Sequence, residues 1–182
     1  MNTKTVSPAR RIVLAALFLA LAFVLPMITG HVPQVGNMLC PMHFPILLCG
    51  FVLGGPWGLA VGFIAPLVRS VLFGMPPMFP IAVSMAFELA TYGLVIGWLY
   101  GHSKWQCVKS LYRCMISAML AGRLVWGVVR IVLLGVSGVP FGWQLFLAGA
   151  FFNAIPGIVL QLVMIPALMI ALNKAKIVPF HK

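Results

Sequence analysis

Six apolar stretches divide the chain: Ile12–Thr29, Pro41–Leu53, Trp57–Phe73, Ile81–Tyr100, Leu111–Val136 and Trp143–Leu172. About 20 consecutive apolar residues cross a bilayer as a helix, so the pattern predicts an all-α integral membrane bundle of six transmembrane helices. The second and third stretches are short and separated only by Gly54, Gly55 and Pro56, which fits a tight hairpin, tilted helices or partly re-entrant segments. The last two exceed what a bilayer requires, and Pro156 and Pro166 are expected to kink the sixth. Residues 1–182 therefore read as a single transmembrane domain with short loops.

Small residues mark the faces along which such helices approach. Glycines recur at every fourth position at Gly50, Gly54, Gly58 and Gly62, and again at Gly93, Gly97 and Gly101. Because Pro56 divides the first series, it is expected to form the contact between spans two and three. Ala16 and Ala20 give span one a similar small face, open to another span or another subunit.

Composition sharpens this picture. With 63% hydrophobic and 7% charged residues, and a mean hydropathy of +1.12, the chain is not a soluble globular domain, which carries roughly 25% charged residues. Twelve Lys and Arg stand against one acid, Glu88, for a net charge of +11. Nine of the twelve form three clusters beside apolar runs: Lys4, Arg10 and Arg11; Lys104, Lys109 and Arg113; Lys174, Lys176 and Lys182. A nucleic-acid binder concentrates its cations in one stripe, whereas these clusters follow the positive-inside rule. Six crossings put both termini and the Lys104 loop in the cytoplasm. The opposite loops, Gly30–Cys40, Gly74–Pro80 and Ser137–Gly142, hold no charged residue. The expected location is a bacterial plasma membrane, and the basic start with Ile12–Leu25 reads as a first span rather than a cleaved leader. Cys40, Cys49, Cys107 and Cys114 show neither metal nor disulfide spacing and read as small buried thiols.

Four ionisable residues lie inside apolar stretches, where each costs a few kcal/mol unless paired or wetted. Counted at 1.5 Å per residue from the outer ends of their spans, Arg69 lies about 6 Å deep, Glu88 and Arg130 about 10 Å, and Arg123 about 20 Å. Arg69, Glu88 and Arg130 thus share the outer half, which suits a polar ligand pocket open to the outside; an internal ion pair pinning helices is the plainer account. Arg123, set lower, reads as structural or partner-facing. Trp126 lies four residues before Arg130, on the same face, suited to stacking a planar ligand or capping the guanidinium. Asn153 requires hydrogen-bond partners in an apolar span, with Gln144 at its mouth. His43 opens span two, and Ser84, Glu88 and Tyr92 form one polar stripe on span four. The loop Gly74–Pro80, rich in Pro, Met and Phe, fits an apolar lid.

The chain has no phosphate loop, no Gly-x-Ser-x-Gly and no His-Glu-x-x-His, and a single carboxylate rules out paired-acid catalysis. The expectation is a non-enzyme without cofactor or metal. A stand-alone proton-coupled carrier, with Glu88 binding the proton, is the reading from another class, although no second acid supplies a relay.

The run Pro41-Met42-His43-Phe44-Pro45-Ile46-Leu47-Leu48-Cys49-Gly50, the stretch Pro66–Pro80 followed by Met85-Ala86-Phe87-Glu88-Leu89-Ala90-Thr91-Tyr92-Gly93, the Ala16-xxx-Ala20 face and the six basic-ended spans resemble the substrate-binding S components of energy-coupling factor (ECF) vitamin transporters. Within that family the chain looks like the members assigned to vitamin B6 compounds, and pantothenate members look similar. The resemblance implies high-affinity vitamin binding from outside, no chemistry, and transport with a membrane scaffold (the T component) and two cytoplasmic ATPases. It also implies that Ala16 and Ala20 meet the scaffold. The expected ligand set is Arg69, Glu88, Arg130, Asn153, His43, Trp126, Ser84 and Tyr92, with pantothenate or another small vitamin as the alternative substrate.

Overall fold

The computed structural model describes residues 7–29, 39–103, 105–136, 154–175 and 178. They form a helical bundle: α1 (Pro8–Thr29), α2 (His43–Leu53), α3 (Gly55–Phe73), a kinked turn at Met78–Ala82 with Phe79 in extended backbone, α4 (Val83–Gly101), α5 (Val108–Val136) and α6 (Ile155–Lys174). Among the described residues, five helical segments are long and apolar enough to cross a membrane. Against the six spans expected, α2 has only 11 residues, a rise of about 16 Å.

Local chemistry sets the boundaries. The single residue between α2 and α3 is Gly54 at φ 91°, a conformation that side chains rarely adopt, and Pro56 follows in the first turn of α3, where a missing N–H costs nothing. Gly74 ends α3 in the left-handed region, its N–H donating to the Ser70 carbonyl at 2.9 Å. Pro156 also falls in the first turn of its helix. Pro166 lies inside the helix, as expected of a kink, whereas the stretch Trp143–Asn153 that would precede Pro156 in the expected span lies outside the described residues.

Helix α4 is the axis of the bundle, packed against α2, α3 and α5, with α1 against α2 and α3, and α6 against α5 and α2. Ile46, Leu89, Ile96, Leu111, Met115 and Ile165 are fully buried at its centre. The exterior is apolar as well: Val13, Leu17 and Ile28 of α1, Val71 of α3, and Leu124, Val128 and Val132 of α5 are largely exposed. Such a surface is stable only against lipid or partner helices.

The glycine faces pack differently from the expected α2–α3 contact. A Cβ at Gly50 or Gly58 would collide with Gly93, one at Gly62 with Leu89 and Ala90, and one at Gly97 with Gly54 and Gly55. Both halves of the first series therefore lie against the second series on α4. Helices without side-chain bulk at the contact gain backbone proximity, which is the attraction left to them where lipid removes the hydrophobic drive.

Candidate functional site

The only acid of the chain sits in the middle of this packing. Glu88 on α4 is 1% exposed, and its Oε1 meets Arg123 Nη1 of α5 at 3.0 Å. One turn along α4, the Tyr92 hydroxyl donates to the same oxygen at 2.9 Å. His43, the first residue of α2, brings Nε2 to 3.6 Å from it, beyond hydrogen-bond reach. The imidazole packs against the Tyr92 ring, centroids 5.4 Å apart. The Cys40 thiol lies beside Arg123. Cys40 itself holds the left-handed conformation at φ 48° just before α2, which is uncommon for a residue with a side chain. Three chain segments thus close on one ion pair.

Gly122 makes this closure possible. A Cβ there would run into the Tyr92 ring and approach the Glu88 carbonyl, so the absence of a side chain beside Arg123 seats Tyr92 against α5. Buried polar atoms keep unused capacity: both ring nitrogens of His43 and Nε of Arg123 beside the pair, and Nε of the half-buried Arg130 farther along α5, have no hydrogen-bond partner among the described residues. Buried polar atoms are nearly always satisfied, so such groups around an ion pair fit a polar ligand.

The expected level of Arg69, Glu88 and Arg130 is not what the structure assembles. Arg69 turns to α1, donating to the Phe23 carbonyl at 2.8 Å and stacking on Phe73 at 5.4 Å. The contact falls in the turn where Pro26 supplies no N–H to the Ala22 carbonyl. Arg130 lies over Trp126, guanidinium to ring centroid 5.1 Å, as the four-residue spacing predicts. Arg123, read from sequence as lower and structural, is the partner of Glu88. The reason is length: α5 has 29 residues, about 43 Å against a core of about 30 Å, so depths counted from its outer end run too low. Arg130 then stands about two turns above the ion pair.

The stripe Ser84, Glu88 and Tyr92 is buried on one face, but the Ser84 hydroxyl donates to the Ile81 carbonyl at 2.9 Å rather than joining the cluster. Asn153 lies outside the described residues. Met75, Met78 and Phe79 of the expected lid are exposed beyond α3. Cys49 and Cys114 are buried, whereas Cys107 is exposed, unlike the buried thiol expected there. The sequence signal for Arg123 was its spacing: Arg123, Trp126 and Arg130 at i, i+3 and i+7 share a helix face.

The family model for the ECF transporter substrate-specific component matches residues 10–171. The chain belongs to this family. No curated protein matches it. A substrate-specific component is the binding subunit of a transporter rather than an enzyme, and it works in a membrane in association with the T component and ATPase modules. The multi-pass apolar helices agree with that setting. Ala16 and Ala20 of this substrate-specific component are exposed on the outward face of α1.

Proposed function

We propose that this substrate-specific component binds a vitamin B6 compound, a pyridoxine-type vitamer, from the outside of a bacterial plasma membrane for ATP-driven uptake with a T component and two ATPases. The observation that carries the reading is the buried Glu88–Arg123 pair with unused polar atoms beside it. Glu88 and Arg123 cancel, so the site favours a ligand without net charge. A pyridoxine-type ring offers a protonatable nitrogen, an acidic phenol and neutral hydroxymethyl groups. It can give a cation to Glu88, an oxygen to Arg123 Nε and hydroxyls to His43, while Tyr92 and Trp126 supply flat apolar walls. Arg69 is left out of this ligand set because its guanidinium is committed to α1.

Arg130 favours a second reading. Its Nε is buried without a hydrogen-bond partner among the described residues, about two turns from the ion pair, and could hold the carboxylate of pantothenate. Outward exposure of Ala16 and Ala20 fits docking of the T component on α1.

The test is titration of purified, ligand-stripped protein with pyridoxine, pyridoxal, pyridoxamine and pantothenate, followed by intrinsic tryptophan fluorescence and calorimetry. Saturable submicromolar binding of a B6 vitamer is expected. Tight binding of pantothenate alone would keep the family and overturn the substrate.

A further inference from the structure

At the other end of the bundle from Met78 and Phe79, a half-open cavity of about 450 Å³ separates the helix ends. It brings together Arg11 from the start of α1, the α2–α3 turn with Phe51, Leu53 and Trp57, the end of α4 at Tyr100, and Gln106 of the following link. Twelve residues, about 18 Å of helix, separate Tyr100 from Glu88, so this is not the cluster described above.

Three features define what it can hold. The walls are apolar apart from a few groups. Tyr100 is 4% exposed, yet its hydroxyl has no hydrogen-bond partner among the described residues. Arg11 lines the cavity, while Arg10, Lys109, Arg113 and Lys174 stand exposed on the helix ends nearby in the fold, and the only acid of the chain is Glu88. A cation and an unsatisfied hydroxyl set in apolar walls at the margin of a membrane domain match a phosphate joined to acyl chains, and basic pockets between membrane helices hold such headgroups.

We propose that this cavity is a binding site for an anionic phospholipid of the leaflet at the basic end. Arg11 meets the headgroup phosphate, with Tyr100 and the second amide N–H of Gln106, whose first reaches the Tyr100 carbonyl at 3.5 Å, as further donors, and the acyl region lies along Phe51, Leu53 and Trp57. The site is independent of which vitamin the protein binds.

The experiment is thermal unfolding of the full chain in neutral detergent with added phosphatidylglycerol, phosphatidylcholine or inorganic phosphate. Phosphatidylglycerol should raise Tm saturably by roughly 5–10 °C, the shift that about a hundredfold excess over Kd gives a chain of this length, and the other two should not. Arg11→Gln and Tyr100→Phe should each shrink the shift, each measured from its own lipid-free Tm, whereas Arg10→Gln, an exposed neighbour outside the cavity, should keep it. Equal shifts with phosphatidylcholine or with inorganic phosphate overturn the proposal, as does no shift at all. So does a full shift in both Arg11→Gln and Tyr100→Phe, or a loss in Arg10→Gln as large as in Arg11→Gln, which would reduce the effect to diffuse surface charge. Loss of T-component association in Arg11→Gln with an unchanged lipid response would make the cavity a protein interface and overturn it too.

Discussion

Glu88 has a duty to the fold through its pair with Arg123, separable by mutation from the ligand role proposed for it. Replacing Arg123 with Met leaves a buried carboxylate uncompensated, and breaking such a pair from one side costs about 3–5 kcal/mol, whereas replacing both members by apolar residues of similar size is close to neutral. Thermal unfolding of ligand-free protein should therefore show Arg123→Met well below wild type and the double variant Glu88→Leu/Arg123→Met recovering most of the loss. Glu88→Gln keeps the volume and should weaken pyridoxine binding by about 10- to 100-fold, the range for a hydrogen bond to a charged group; unchanged affinity in calorimetry would remove Glu88 from the ligand set. At this scale much of the site was legible. A lone acid, a histidine and a tyrosine in apolar helices stand out because each must be satisfied there. The partner of Glu88 was not legible, because one helix's sequence fixes which residues share a face but not how far it slides along its neighbour. Gly122, seated under the Tyr92 ring, is the nearest thing to a register mark in the sequence.

Arg69 belongs to the helix scale. Its bond to the Phe23 carbonyl and its stacking on Phe73 tie α1, the most exposed helix, to α3. Arg69→Met should speed backbone hydrogen exchange in α1 while leaving vitamin affinity unchanged; a large loss of affinity would return Arg69 to the ligand set. Helix existence and the shortness of the second stretch were readable from apolar run lengths and from Pro56 and Gly74. The glycine series announced a close approach, but a small face attracts any other small face. Gly50, Gly58 and Gly62 consequently found α4 instead of one another. Pro156 in the first turn of α6 and Pro166 inside it read alike in the sequence, because a proline marks a position in a helix only once the first turn is located.

Across the whole molecule, the cavity at Arg11 gathers the start of α1, the α2–α3 turn and the α4–α5 link at one end, the end at which the charge pattern predicts cytoplasm. Cys107 is exposed on that link. In intact cells it should resist a membrane-impermeant maleimide and react once the membrane is permeabilised, with Cys107→Ser as the blank; labelling from outside would reverse the orientation. The cancelled charges of Glu88 and Arg123 have an electrical consequence. A charge entering the field of a membrane is coupled to it by about 2.3 kcal/mol per 100 mV, so an anion drawn into the bundle would bind more weakly as the cell interior becomes more negative. On the proposed reading, a vitamer with no net charge entering a site with none would feel no such force: its capture would be indifferent to voltage, and a de-energised cell would fill the site as readily as a polarised one.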